Sequence, residues 1–405
     1  MNLIKKTIFL IIAVVFAFPT IAKNKKKDKK DEYKSPYEFT MVKDLATSPV
    51  KNQYRSGTCW SFGGTAFLET ELIRLGKGVV DLSEMYSVRN AYAEKAVNTV
   101  RWHGSLNFGP GGNFHDVLWV YNHFGAITED AYNGLHYGEK KHVHGEMMAL
   151  LSSYVETVIK NKNKKISPVW LQGYNGILDA YLGKVPSNFQ VDSIDYSPKS
   201  YAEYLGLKIE DYVEITSFSH HDFYDTFILE IPDNWMLAKY YNVPFDDFKR
   251  IIEEAIMNGY SVGWDADVSE KGFSRKKGIA IIPNEDKPEI EGMESDKWEK
   301  LDEKEKKKRL YSFDEIVAEK KITQEMRQEQ FDNYKTTDDH LMLLTGIAKD
   351  QKGNMYYKVK NSWSEKSSPY KGFFFASAAF VNLKTVSILV HKDAIPKDIR
   401  EKMGL

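Results

Sequence analysis

The chain has 405 residues, 56 Lys plus Arg against 57 Asp plus Glu, a formal charge of -1, and 42% hydrophobic and 13% aromatic residues. That length and aromatic content exclude a disordered or collagen-like chain, and the even charge balance gives no general attraction to nucleic acid. The single cysteine, Cys59, excludes an intramolecular disulfide and any site built from several thiolates.

Residues 1–22 read as an export signal: Lys5 and Lys6, a short apolar run over 8–18, then Pro19 and the small Ala22. The run is shorter than the roughly 20 residues a bilayer crossing needs, so no lasting membrane anchor is expected. A charged leader follows over 23–40, and the mature protein is expected to be periplasmic or extracellular. Next comes the block QYRSGTCWSF over 53–62, which leads into a helix with Leu68, Leu72 and Leu75 at helical spacing and Gly76 as its stop. Cys59 therefore sits at a helix start, where unpaired N–H groups and the positive helix end favour a thiolate. Gly63 and Gly64 leave the next turn bare, so another wall can approach.

Residues 81–160 read as mostly helical, with loops around Gly104 to Gly112. His136, His142, His144 and Glu146 include an H-x-H pair but no further ligand at a recognised spacing, so neither metal nor cofactor is expected. Residues 184–234 alternate short β-like runs with turns; the adjacent His220 and His221 read as diverging loop residues. A helix from Phe245 precedes a buried strand over 260–264. Residues 284–335 are dense in Glu, Lys and Asp and read as an exposed helical insertion. From His340 the pattern is β: HLMLLTGIA, a DQKG turn, MYYKVKN, then KGFFFAS. Helices come early and a sheet late, which is an α+β layout.

The hairpin supplies what a thiol nucleophile needs, a base and a group to orient it. A symmetric turn centred between Asp350 and Gln351 sets His340 directly opposite Asn361, and Trp363 then lies over that pair.

These residues carry a resemblance. Gln53 six positions before Cys59, the run CWSF, Asp339–His340 and NSW at 361–363 resemble papain-type cysteine peptidases. The 281 positions from Cys59 to His340, Gly111–Phe114, DADVSE over 265–270 and TTDDH over 336–340 are most similar to the bleomycin hydrolase and aminopeptidase C family. The resemblance implies a two-lobed papain-like fold over 41–405: a helical lobe to about 180, an inserted and connecting region to about 335, and a β lobe beyond. It implies Cys59 as nucleophile, His340 as proton carrier, Asn361 as its orienter, and an oxyanion hole from Gln53 and the Cys59 N–H, with Trp60 and Trp363 in support. Gly111 and Gly112 would line the substrate cleft, and the tail ending at Leu405 would hold the free amino group of a peptide substrate, making the enzyme an aminopeptidase. A homohexameric ring is also implied. Two positions depart from the pattern: Ser364 where Gly usually follows the NSW run, and Thr58 before the cysteine. Alternatives are an endopeptidase of the same chemistry, a transglutaminase-like acyltransferase, or a non-catalytic binding protein on this scaffold.

Overall fold

In the computed structural model, residues 35–285 and 301–405 are described. The signal and most of the leader, and residues 286–300 of the charged insertion, lie outside the described residues.

A short strand, β1 (Thr40–Asp44), precedes α1 (Cys59–Arg74). The apolar positions of α1 are spent on burial: Phe67, Leu68 and Leu72 are at most 1% exposed. The helix stops at Gly76, whose φ of +78° suits a residue without Cβ. Four further helices pack with it: α2 (Glu84–Arg101), α3 (Phe114–Phe124), α4 (Gly145–Ile159) and α5 (Trp170–Leu182). Ser83 caps α2 by accepting from the Tyr86 N–H, and Asp116 in the first turn of α3 accepts from the Asn113 N–H at 3.1 Å. A small hairpin, β2 (Phe189–Val191) and β3 (Ile194–Tyr196), leads to α6 (Pro198–Leu205). The sequence reading took this stretch as β-like. Ser197 as cap with Pro198 behind it starts a helix instead.

The second half builds the sheet. In chain order it contributes β4 (Tyr212–Thr216), β5 (Thr226–Ile228), β6 (Lys239–Asn242), α7 (Phe245–Met257), β7 (Val262–Ala266), β8 (Phe273–Ser274) and β9 (Ile279–Ala280). Then come α8 (Glu303–Leu310), α9 (Gln324–Asp332), β10 (His340–Lys349), β11 (Met355–Lys360), β12 (Phe373–Ser377), α10 (Ala378–Lys384), β13 (Thr385–His391) and α11 (Lys397–Lys402). The strands lie in the order β5-β6-β4-β13-β7-β10-β11-β12-β9-β8, with β1 also on β10. β10 is the axis. β7 pairs with its first half, from His340 opposite Ala266 to Leu344 opposite Val262, and β1 with its second half.

The alternation of β10 divides the interior. Leu341 and Leu343 face the helical core with α1; Met342 and Leu344 face the core that holds α7, through Phe248, Ile251 and Ile252. The chain thus has the predicted α+β plan, a helical part carrying Cys59 and a sheet carrying His340. The charged insertion is less exposed than its composition suggests. Leu310, Phe313, Ile316 and Val317 are buried with Tyr37, Tyr356 and Phe375.

Candidate active site

α1 meets β10 where its glycines fall. A Cβ on Gly63 would lie 2.9 Å from the Leu341 carbonyl oxygen, and one on Gly64 2.7 Å from Val117 of α3. Side chains at either position would hold the helix off the sheet and off α3. The close approach sets Cys59 beside the β10 backbone, where hydrogen bonding from Leu341 reaches the thiol. Leu341 is the neighbour of His340, so sulfur and imidazole belong to one locus.

The His340 Nε2 is 2.9 Å from Asn361 Oδ1, and the same oxygen accepts the Ser362 N–H at 2.7 Å. An oxygen that accepts twice requires the proton on Nε2, so the neutral ring keeps the lone pair of Nδ1 free for a proton. Trp363 lies over the ring, with centroids 4.5 Å apart and planes 22° from parallel. The register differs from the symmetric one. Lys349 pairs with Met355 across a five-residue loop, and an irregularity between Leu344 and Gly346 shifts the ladder by one. Extending that ladder sets His340 opposite Trp363, two residues beyond Asn361, and the Asn361 side chain reaches the imidazole from its offset position.

Gln53 is fixed by the same segment. Its N–H donates to the Ser362 carbonyl at 2.8 Å, and its Oε1 accepts from Ser362 Oγ at 2.5 Å. The amide nitrogen is the end left for a ligand. Trp60, wholly buried, donates Nε1–H to the Pro110 carbonyl at 2.9 Å and ties α1 to the glycine loop.

Gly111 and Gly112 face the chain's own side chains. A Cβ on Gly111 would fall 1.7 Å from Asp233 Oδ2, and one on Gly112 2.3 Å from Asp116 Oδ2. Below them Lys95, 1% exposed, donates to the Gly109 and Gly111 carbonyls at 3.0 and 2.8 Å. Leu405 is placed differently from the expectation. Met403 and Ile399 pack into the core with α7, and Lys402 reaches Tyr224 and Asp247. The amphipathic α11 closes that core, which leaves the tail on the face of the sheet opposite α1.

The electrostatics are acidic. Burial pushes the half-buried Cys59 thiol up to about 12, and Asp338, Asp233 and Asp265 add to the rise, while hydrogen bonding from Leu341 opposes it. Burial lowers His340, against the support of Asn361 and Asp339. Both shifts favour a neutral thiol and a neutral imidazole, against the thiolate that the helix start alone favours. Sequence reasoning missed Asp233 and Lys95, and took Asp265 and Asp338 only as part of the runs DADVSE and TTDDH, because nothing in their local pattern announces convergence across the fold.

The histidine motifs resolve separately. His142 and His144 are buried, with rings 5.7 Å apart, and burial lowers them to about 4 and about 3. His220 and His221 do not diverge; both Nε2 atoms meet Glu230, at 3.2 and 3.0 Å. The turn that carries them bends both rings toward one carboxylate.

A thiol at a helix start, held against the backbone of the strand that opens with His340, and an amide bracing that imidazole go with a papain-like cysteine peptidase fold. Residues 305–404 match the model of the Peptidase C1-like family. The chain is distantly homologous to aminopeptidase C over most of its length. It is 23% identical to aminopeptidase C of Streptococcus thermophilus, covering 88% of this chain and 83% of that protein. It is 21% identical to aminopeptidase G of Lactobacillus delbrueckii subsp. lactis, covering 89% and 85%. The crystal structure of PepW from Lactobacillus rhamnosis HN001 superposes with a TM-score of 0.65 at 20% identity, over 90% of this chain and 84% of that one.

Proposed function

We propose that this cysteine peptidase removes residues from the amino termini of peptides through a Cys59 thioester. The observation that carries the reading is the Cys59, Leu341, His340 and Asn361 arrangement, with the imidazole proton fixed on Nε2 by Asn361. His340 Nδ1 takes the thiol proton, and the sulfur attacks the scissile carbonyl. The Cys59 N–H, unpaired at the helix start, and the Gln53 amide meet the developing oxyanion. Collapse of the adduct breaks the C–N bond, and His340 returns its proton to the leaving amine. Water then hydrolyses the thioester with His340 again as base. Amino-terminal action is supported by relatives named aminopeptidase and by a glycine loop already filled by Asp233.

The test compares alanine 4-nitroanilide with its N-acetyl form. The free-amino substrate should be cleaved faster, and Cys59→Ala should abolish cleavage of both. Preference for the blocked substrate would favour an endopeptidase; full activity of Cys59→Ala would end the cysteine reading. Residues 1–22 are read as a cleaved export signal, checked by amino-terminal sequencing of the secreted protein. Assembly as a six-membered ring is checked by light scattering.

A further inference from the structure

An enzyme that trims amino termini needs a fixed anion for the substrate's α-ammonium. The tail that the resemblance assigned to this task is packed on the far face of the sheet with α7. Near the sulfur there are carboxylates instead. The segment between β5 and β6 lies across the glycine loop, with Trp235 buried and its Nε1–H donated to Asp116 at 2.8 Å. Two residues earlier, Asp233 fills the space in front of Gly111, where an extended peptide would otherwise run on; Asn107 Nδ2 holds its Oδ1 at 3.0 Å.

A second observation is independent of that segment. Asp265 pairs across the ladder with Leu341, the residue whose backbone meets the Cys59 thiol, so its side chain projects on the α1 face beside the sulfur. It is 0% exposed, and neither its Oδ1 nor the enclosed Oδ2 of Asp338 has a hydrogen-bond partner outside this pair. Burial pushes both the Asp265 and Asp338 carboxyls up, the Asp338 charge adding to the rise at Asp265 and the Asp233 charge to that at Asp338. The Asp265 and Asp338 side chains hydrogen-bond to one another. Two enclosed carboxyls facing one another, with Asp265 otherwise held by the Ser387 hydroxyl at 3.1 Å, cannot both ionise cheaply unless a cation arrives.

We propose that Asp233 closes the groove at Gly111 and, with Asp338, receives the free α-ammonium of the substrate, so that the chain carries its amine anchor internally. This rests on the aminopeptidase reading above and specifies its substrate-recognition device. It implies that one residue fits between the anchor and the scissile bond. It also implies that the incoming ammonium offsets the negative field on Cys59 as the substrate binds.

The experiment has two arms. In turnover, Asp233→Asn keeps the shape and the Asn107 contact but removes the charge. It should lower kcat/KM for alanine 4-nitroanilide by about 30-fold or more while leaving the N-acetyl substrate unchanged or faster. Asp233→Glu should recover part of the loss, and deletion of Gly404 and Leu405 should leave the selectivity intact. Equal loss on both substrates, no loss, or a collapse of selectivity on tail deletion alone would overturn the proposal. In binding, Cys59→Ala should take alaninamide over propionamide, and Asp233→Asn should erase that preference. Asp233-dependent binding without turnover would support the anchor and defeat the proposed reaction. Turnover with a silent Asp233→Asn would do the reverse.

Discussion

At the scale of single residues the site is a matter of where protons rest. The Cys59 thiol is pushed up to about 12, first by burial and then by three aspartates, while burial lowers His340. Both shifts penalise charge, so near pH 7 the pair is thiol plus neutral imidazole. Alkylation of Cys59 by iodoacetamide should therefore be slow at pH 5–7 and climb about tenfold per pH unit above it, since the thiolate is the reacting form. A rate already at plateau at pH 5 would mean that a thiolate–imidazolium pair rests in the free enzyme and would refute this account. A different strain sits at Ser364, with φ +70° and ψ 156°, a region almost reserved for glycine. Ser364→Gly should raise stability by about 1 kcal/mol in urea titrations, the relief of strain exceeding glycine's entropy cost. A destabilised variant would contradict it.

Elements meet through backbones here, and that contact is where α1 is most exposed to change. Gly63 has the Leu341 carbonyl 2.9 Å from its missing Cβ, while Gly145 in α4 has open space. Gly63→Ala should cost about 1–3 kcal/mol and lower kcat/KM further than stability alone explains, because any shift of α1 moves the sulfur relative to His340. Gly145→Ala, made beside it, should be neutral or slightly stabilising; equal effects would show that the α1–β10 approach is not limiting. The same contact shows how far sequence carries. Gly63 and Gly64 could be read as bare positions awaiting a neighbour, and the cysteine, histidine and asparagine stood out through spacing and chemistry. The register did not, because a five-residue loop from Asp350 to Asn354, held by the Asp350 carboxylate, and the irregularity after Leu344 are both invisible to a symmetric count. The convergence of the aspartates near the sulfur escaped for a related reason. Asp233, Asp265 and Asp338 come from three separate segments, and only tertiary packing brings them together.

Across the whole molecule, both cores depend on β10, and β10 depends on a strand from the other end of the described chain. β1 covers Gly346 to Lys349, Leu45 donates its N–H to Thr345 at 2.8 Å, and Asp44 takes the Lys358 ammonium at 2.7 Å. Phe39 stacks on Phe375 with centroids 3.9 Å apart, and Tyr37 is 4% exposed. The described body begins at Ser35, with residues 35–405 forming one unit. A chain starting at Ser35 keeps every described contact of β1 and serves as the reference. A chain starting at Ala46 leaves half of one β10 edge unpaired and strips the aromatic pair from the α8 side. Its Tm should fall by about 5–10 °C, as expected for several kcal/mol in a domain this large. Activity should fall with it, because the loosened strand carries His340 at its other end. Calorimetry on the two truncated chains decides the matter: equal melting temperatures would mean that β1 is an ornament on the sheet and that β10 holds its His340 end without it.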